Sequence, residues 1–435
     1  EEDPTAPTAA PQPLSEVDHE LAMISRRLTR NERRATRTGD TAATVQPKRL
    51  LLSCMKNEGA TVLEWVAYHR VIGFDHFLIY TNDCEDGTDL IWKRLDQMGL
   101  ASFQDNAAKR RLGRHKPQVR GLIRAMTHPA YTSAEWVMML DADEFLNIHA
   151  GAGRVDDLLA QNRDADCFMI NWRLFGSSGV QDFAPGFVTE QFLHGADPER
   201  VSRSHALAPK SIFRPDRFSK PNIHRPGNPV GGGERVYATA SGQTIPRSWG
   251  AVSRHGNYSH AQINHYSVQS MDMLLLKFAR GFAVERQMES PQDYLEARDF
   301  NHCRDESVLR HRAEVRAEYD RLLADPVLAR LQAVAVAWRQ NKLAEALAQP
   351  ELSAMKAALV AAQADGGEAL AAAGDVDGAG GGDEAGFVAG DVGSDSLPAL
   401  HMQDVEIAQR HQRVGNTNNG LVLIVMGRNV HGVPS

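Results

Sequence analysis

Three acidic side chains, Asp141, Asp143 and Glu144, stand directly after a short, unbroken apolar run at residues 137–140. Such a run is typical of a strand that is buried on both faces of a parallel sheet. Carboxylates at the end of a buried strand repel one another, and their removal from water is unfavourable. A divalent cation would relieve both penalties, and carboxylate oxygens suit Mg²⁺ or Mn²⁺. Because side chains alternate along an extended chain, Asp141 and Asp143 are predicted to share one side and bind the metal.

The alternative interpretation is an acidic loop that caps the next helix, since a lone D-x-D is common. Two further polar segments favour a site, because each follows a predicted strand as the acidic cluster does: residues 56–58 and 82–88. Strand and helix patterns alternate from residue 49 to 145, which predicts a largely parallel sheet between helices. Ligands bind beyond the carboxyl ends of such strands, so the three segments are predicted to share one cleft.

The composition excludes several classes of function. The formal net charge is −7 over 435 residues, so no global basic field recruits nucleic acid or a membrane. The four cysteines are far apart and lack a C-x-x-C spacing, which disfavours zinc and disulfide frameworks and fits a reducing compartment. No apolar run approaches the roughly 20 residues that span a bilayer, and no signal peptide is visible. We therefore expect a cytoplasmic protein, although the first residue is Glu1 and removal of an upstream segment stays open.

Composition also divides the chain into five parts. The first is rich in Pro, Ala and Thr and is predicted to be disordered, and the fourth is rich in Ala, Gly and Asp and is predicted to be a flexible linker. The third is the α/β domain with C-terminal helices, in which Thr61 and Glu64 form a predicted capping box. The parts are residues 1–13, a basic helix with its linker at 14–47, the domain at 48–348, the linker at 349–400, and a tail or truncated module at 401–435.

The helix predicted near the N-terminus is amphipathic and basic. Apolar residues recur at steps of three and four, and six arginines follow: Leu14, Val17, Leu21, Ile24 and Leu28, then Arg26, Arg27, Arg30, Arg33, Arg34 and Arg37. Such a helix at residues 14–37 suits an anionic membrane, here the inner face, or a partner protein. Docking on its own domain is the alternative interpretation.

Several blocks occur in a fixed order along the chain. They are Lys56-Asn57-Glu58, Glu64-Trp65 with Tyr68-His69, Tyr80 with Asn82, Asp86 and Thr88, Asp141–Phe145, Trp172 with Phe175-Gly176, Thr189–Phe192, Lys210–Ile212, Asn264–Tyr266, and Ser270 with Lys277, Arg280 and Gly281. Together they resemble the GT-A-fold glycosyltransferases, in particular the family-2-like and family-92-like groups. The resemblance covers residues 48–310 and is specific jointly, not block by block. Gln191 departs from it, because an E-R-F block has Arg at that position.

The resemblance implies both a fold and an activity. The fold is an α/β, GT-A-type doubly wound sheet, mostly parallel and flanked by helices. The added C-terminal helices and the disordered tail lie beyond the resemblance and are predicted from periodicity and composition. The activity is a metal-dependent, hexosyltransferase-like transfer of a sugar from a nucleotide sugar, a UDP-sugar above all, to a hydroxyl with inversion. The implied cofactor is Mn²⁺ or Mg²⁺, and the implied acceptor is a glycan or glycolipid, as in polysaccharide biosynthesis.

The resemblance also implies roles for single residues. His265 would complete the metal shell or contact the diphosphate, with a core histidine as the alternative and His224, His255 and His260 as competitors. Glu144 would orient a ligand. An inverting transfer needs a base on the far side of the sugar from the metal, and Glu190 and Asp182 are the candidates. Glu190 is favoured because its block matches, and a surface carboxylate on a helix is the alternative for both.

The predicted nucleotide-binding and donor-binding residues are Lys56, Asn57, Glu58, Asn82, Asp86, Lys210, Lys277 and Arg280. Asp86 has an alternative role in fixing its turn, and the cationic residues have one in exposed salt bridges. The basic run at residues 109–116 would bind phosphate on an acceptor or form a solvated loop.

Two other functions stay open at this point. One is a non-catalytic relative that binds a nucleotide or carbohydrate and transfers nothing, which the presence of both Asp141 and Asp143 disfavours. The other is a nucleotidyltransferase, which usually has a Gly-rich basic loop after its first strand. Residues 54–61, CMKNEGAT, lack that composition. Release of pyrophosphate instead of UDP would identify the nucleotidyltransferase.

Overall fold

A computed structural model describes residues 13–38, 45–108, 112–113, 115–198, 209–231, 234–246, 258–279 and 290–372. The strands are β1 Arg49–Met55, β2 His76–Thr81, β3 Ala101–Asp105, β4 Trp136–Met139, β5 Glu144–Ile148, β6 Cys167–Leu174, β7 His194–Gly195, β8 Pro209–Phe213, β9 Phe218–Lys220, β10 Gly227–Pro229, β11 Tyr237–Thr239, β12 Thr244–Ile245, β13 Ala261–His265 and β14 Cys303–Arg304. The helices are α1 Leu14–Thr38, α2 Gly59–Ile72, α3 Thr88–Gln97, α4 Pro117–Ala125, α5 Pro129–Thr132, α6 Val155–Leu159, α7 Val188–Gln191, α8 Met271–Ala279, α9 Pro291–Arg298, α10 Arg312–Leu323, α11 Pro326–Leu347 and α12 Pro350–Ala372.

Within these residues, ten strands form one sheet. Its order is β12-β11-β6-β8-β4-β1-β2-β3, with β13 beside β6 and β5 beside β13. Strand β1 is parallel to β2 and β4, and β2 is parallel to β3, whereas β8 is antiparallel between β4 and β6. The predicted fold class, a mostly parallel sheet flanked by helices, is confirmed. The carboxyl ends of β1, β2 and β4 consequently open at one edge.

Helix α2 packs on the sheet and holds strand β5, the strand that follows the acidic cluster. Trp65 and Tyr68 are buried against the sheet. The polar atom of each side chain donates a hydrogen bond to a backbone carbonyl of strand β5. Trp65 Nε1 donates to the Glu144 carbonyl at 3.0 Å, and Tyr68 Oη donates to the Leu146 carbonyl at 3.1 Å. Two large aromatic anchors therefore fix the chain immediately after the acidic turn.

The capping box predicted for α2 is wrong. The hydroxyl of Thr61 donates to the Glu58 carbonyl, and Glu64 turns away from its own helix. Its carboxylate accepts hydrogen bonds from the backbone N–H of Val188 and of Thr189, at 2.7 and 2.9 Å. A carboxylate at a helix N-terminus is favourable whichever chain segment supplies it, so tertiary packing decides the partner.

The apolar face of α1 docks on the domain. Val17 and Leu28 are fully buried, and Val17 packs against Val334 of α11. Gln97 of α3 donates to the Leu28 carbonyl at 3.1 Å. For this face the alternative interpretation, a helix docked on its own domain, is the observed one.

The stretch predicted as a linker from residue 349 begins with helix α12, so that boundary is wrong. Leu359 is fully buried in a cluster with Met271 and Leu274 of α8. Lys356 lies 2.6 Å from the carboxylates of both Asp182 and Asp272. Alanine, which dominates the stretch, is the strongest helix former, so its composition suits a docked helix as well as a linker.

Some of the predictions concern residues outside the described ranges. These are residues 1–12, most of the basic run at 109–116, His255, Arg280, and the remainder of the linker and tail at 373–435. Among the helices that are described, none combines the length and apolar character needed to cross a membrane.

Candidate active site

The acidic cluster forms a tight turn between two strands. Strand β4 ends at Met139 and β5 begins at Glu144, whose N–H donates to the Asp141 carbonyl at 3.2 Å. The chain is therefore not extended at residues 141–143, and the alternation used to place both carboxylates on one side does not apply. Asp141 and Asp143 instead have different partners.

Asp141 is held by a buried lysine. Lys210 of strand β8 is completely buried, and its Nζ lies 2.9 Å from Asp141 Oδ2 and 3.0 Å from Glu144 Oε2. Gln118 Nε2 donates to the other oxygen of Asp141 at 3.0 Å. Burial alone would lower the pKa of Lys210, but the carboxylates of Asp141 and Glu144 raise it above its usual range. Lys210 is thus a permanent internal cation beneath the site.

Asp143 lies beside a histidine and a lysine. Its Oδ2 lies 3.7 Å from His265 Nε2 on β13 and 4.0 Å from Lys277 Nζ on α8. Burial would raise the pKa of the Asp143 carboxyl, but His265, Lys277 and Lys210 together hold it well below its usual range. Asp143 is ionised at neutral pH, and its side chain is still 28% exposed, so a ligand can reach it.

The donor set of Asp143 and His265 fits a divalent cation. One carboxylate oxygen and one imidazole nitrogen stand 3.7 Å apart, a separation that a single ion can bridge. No group of three or more His, Cys, Asp or Glu side chains within the described ranges is arranged to hold a metal. Mg²⁺ commonly uses one or two protein ligands and takes the rest from substrate phosphates and water. The metal roles of Asp141, Asp143 and His265 stay predictions.

An aromatic wall lies beside this pair. The ring of Trp172 lies 4.6 Å from the His265 ring and 5.2 Å from the His224 ring, between ring centroids, and Lys210 Nζ is 5.8 Å from its centre. Burial lowers the pKa of His224 to about 4, so this histidine is neutral. His260 instead pairs with its neighbour Ser259 at 2.7 Å.

Two residues beside the acidic turn received no role from the sequence. Trp172 carried a usable signal, because it lies in an aromatic strand that leads into a glycine loop. Gln118 carried none, since a single glutamine beside a basic run has no pattern of its own.

The segment after β1 contributes polar side chains to the same edge. Lys56 is exposed, and Asn57 adopts a left-handed backbone with φ 57° while its Oδ1 accepts from the Glu85 N–H at 2.8 Å. Glu58 lies 3.9 Å from Arg339 Nη2 of α11. The segments after β1 and β2 therefore meet, as the sheet topology predicts, and the donor-binding roles of Lys56, Asn57 and Glu58 stay predictions.

Asp86 matches its alternative, turn-fixing interpretation. It is 1% exposed, and its Oδ2 accepts from the Gly59 N–H at 2.7 Å. Its Oδ1 accepts from the N–H of Thr88 at 2.9 Å and from its hydroxyl at 2.6 Å. One carboxylate thus joins the N-termini of α2 and α3. Asn82 donates to Asp83 Oδ2 at 3.1 Å.

Both candidate bases are ion-paired. Glu190 accepts from Arg316 Nε at 2.8 Å and from Arg312 Nη2 at 3.1 Å, and hydrogen bonding by Arg316 lowers the pKa of its carboxyl. Asp182, 82% exposed, pairs with Lys356. A carboxylate held by two arginines is a weaker proton acceptor, which counts against Glu190. Their roles stay predictions, and we assign the base to neither.

A pH effect is expected from Glu64, which anchors α7. Burial raises the pKa of its carboxyl from 4.5 to about 7, against the lowering effect of hydrogen bonds from Thr189 and Val188. The buried side chain favours the folded state only while its carboxyl is protonated. Because the folded pKa is higher than the unfolded one, this stabilisation is complete below pH 4.5 and is lost as pH rises through about 7. At about 1.4 kcal/mol per pKa unit, the change is roughly 3 kcal/mol.

The free energy of unfolding in urea is measured between pH 4.5 and about 7 for wild type and for Glu64→Gln, which cannot titrate at this position. The wild-type value should fall more steeply with pH. The exposed Glu135→Gln is the matched control and should behave as wild type. Parallel curves for wild type and Glu64→Gln would show that the Glu64 carboxyl does not titrate in this range.

Comparison with known protein families identifies sequences that are similar to this chain. A family model for glycosyltransferase family 92 matches residues 51–306. A glycosyltransferase family 92 protein of Ricinus communis is 27% identical over 186 residues, 40% of this chain and 30% of that protein. One of Oryza sativa subsp. japonica is 30% identical over 170 residues, 38% of this chain and 26% of that protein. The match thus spans less than a third of the length of either relative.

Solved structures add little to this comparison. HddC from Yersinia pseudotuberculosis aligns at a TM-score of 0.26 with 9% identity, over 44% of this chain and 88% of its own. A fragment of S. aureus TarS aligns at a TM-score of 0.26 with 10% identity, over 68% and 92%. Scores this low carry no weight for fold or function, so the fold rests on the strand order itself. Since the family model matches more than half of the sequence, the chain belongs to glycosyltransferase family 92.

Proposed function

We propose that the chain transfers a sugar from a nucleotide sugar to a hydroxyl of a glycan or glycolipid acceptor, at the edge where β4 ends. The observation that carries this proposal is the ionised, accessible Asp143 carboxylate, which faces His265 at 3.7 Å and Lys277 at 4.0 Å. A carboxylate and an imidazole suit a cation, and an ammonium group suits a diphosphate. Membership of the family supports the same class of reaction.

Lys277 would hold the leaving diphosphate. Its Nζ donates to the Ser267 carbonyl at 3.0 Å and to Tyr294 Oη at 2.8 Å. A lysine ammonium group has three donors, so within the described residues one remains for a phosphate oxygen. The two fixed bonds orient the charge before the donor binds, which reduces the entropy lost on binding.

The other side chains would prepare the site for a cation and a diphosphate. Asp143 and His265 would hold Mn²⁺ or Mg²⁺, together with phosphate oxygens and water. When bound, the ion would supply Lewis-acid stabilisation of the negative charge on the departing diphosphate. Lys210 balances the charge of Asp141, and Trp172 would shield one side of the site from water. The UDP-sugar donor and the inverting course rest on the resemblance described above.

A turnover assay tests this proposal. The purified chain is incubated with a panel of nucleotide sugars, Mn²⁺ and glycan or glycolipid acceptors, and the released nucleotide is identified. We expect a nucleoside diphosphate and a glycosylated acceptor. Release of pyrophosphate would indicate the nucleotidyltransferase instead. Nucleotide binding without turnover of any donor would indicate the non-catalytic relative.

A further inference from the structure

Helix α1 presents a basic stripe on the side away from the domain. Met23, Arg26, Arg27 and Arg30 follow one another at helical steps of three, one and three, so they share a face. All four are exposed, and Met23 is 52% exposed, which is unusual for a large apolar side chain among the described residues. The stripe therefore lies on the surface and is not part of the packed core.

The docking of the opposite face explains why the stripe points outward. Val17 and Leu28 are fully buried against the domain, and the side-chain amide of Gln97 on α3 holds the Leu28 carbonyl. Lys93 of α3 lies 3.0 Å from Glu32, which holds the same side further along the helix. The rotation of α1 about its axis is thus fixed, and the arginine face is left to solvent.

The charge of this stripe opposes that of the whole chain. The chain carries a formal net charge of −7, whereas α1 has six arginines between residues 26 and 37. In the sequence, Arg33, Arg34 and Arg37 continue the spacing of Arg26, Arg27 and Arg30. Arginines near a helix C-terminus also favour the helix dipole, but that effect is confined to the last turn and does not account for a row of this length.

We propose that the basic stripe, Met23 with Arg26, Arg27 and Arg30, docks the protein on a membrane surface rich in anionic phospholipid. A straight cationic row on a rigid helix matches a flat layer of negative headgroups, and Met23 adds an apolar contact at the level of the headgroups. The stripe presents no aromatic side chain on which bases could stack, which favours a membrane surface over nucleic acid as the partner.

Vesicle co-sedimentation of the full chain tests this proposal. The probes are vesicles of equal parts phosphatidylglycerol and phosphatidylcholine, and vesicles of phosphatidylcholine alone. We expect binding to the first and not to the second, with loss of binding as salt is raised. Replacement of Arg26, Arg27 and Arg30 by Gln should weaken binding about a hundredfold. The matched control replaces Arg217, Arg304 and Arg321 by Gln, and these side chains are 46%, 57% and 50% exposed.

The outcomes distinguish a docking surface from a general charge effect and from a non-electrostatic contact. Loss of binding in the stripe variant, with the control variant unchanged, supports the proposal. Equal loss in both variants would show a general charge effect, and equal binding to both vesicle types would show a non-electrostatic contact. Either result overturns the proposal, as does tighter binding of a single-stranded RNA than of the anionic vesicles. If the stripe variant does not fold, the unmodified chain still tests the proposal. Its binding must prefer the anionic vesicles and must weaken as salt is raised.

Discussion

Replacing Asp143 by Asn is expected to lower sugar transfer by about 10²–10³-fold, the range typical for loss of one preorganised electrostatic contact, such as an oxyanion-hole donor, at a reacting centre. The variant removes the only charge with which this side chain can hold a cation beside His265, while the shape of the side chain is kept. Folding should be intact, because the turn is fixed by backbone bonds, including the one from the Tyr266 N–H to the Asp143 carbonyl at 2.9 Å. Initial rates of nucleoside diphosphate release measure the effect.

Asp216→Asn is the matched control for this experiment. Asp216 is 70% exposed and lies on the short helix Pro215–Arg217, so the same chemical change there should leave the rate unaltered. Circular dichroism and the melting temperature report whether each variant is folded. Wild-type turnover in a folded Asp143→Asn variant would remove Asp143 from the site.

Replacing Lys210 by Met is expected to destabilise the fold by about 3–5 kcal/mol, because one partner of a buried ion pair is removed. Lys210 is fully buried, and without it Asp141 and Glu144 would repel each other with no cation between them. The free energy of unfolding in urea measures the loss. A contact with a bound diphosphate, the role predicted from sequence, would instead reduce donor affinity and leave the stability of the free protein unchanged.

A second variant separates charge from packing at this position. Adding Glu144→Gln to Lys210→Met removes the buried carboxylate that lost its partner, so the double variant should regain part of the stability. The coupling between the two substitutions is read from a double-mutant cycle. An additive result, with no recovery, would mean that Lys210 contributes through packing alone.

The part of the fold that local patterns specify was predictable. The apolar runs at β1, β2 and β4 are short and bounded by turn residues, and their alternation with helices fixes parallel pairing. Because β1 and β2 are parallel neighbours, the segments that follow them must lie close together at one edge of the sheet. The structure shows this contact as a hydrogen bond from the Glu85 N–H to the Asn57 side chain.

Contacts between residues far apart in sequence were not predictable in the same way. Lys210 reaches Asp141 only because β8 inserts antiparallel between β4 and β6, and nothing near Lys210 in the sequence indicates that insertion. The partner of Glu64 is likewise on a helix more than a hundred residues away. The extended-chain rule failed at residues 141–143 because a turn of the chain there removes the alternation on which the rule depends.

Calorimetric titration of UDP into the purified chain, with and without Mn²⁺, tests the proposed site most directly, with Asp143→Asn as the comparison. We predict that UDP and Mn²⁺ each bind more tightly in the presence of the other, because Asp143 and His265 supply only part of a metal's ligands and the diphosphate supplies more. The substitution should abolish this mutual enhancement. UDP affinity that is independent of Mn²⁺, or an enhancement that persists in Asp143→Asn, would contradict a cation-assisted nucleotide site at this turn.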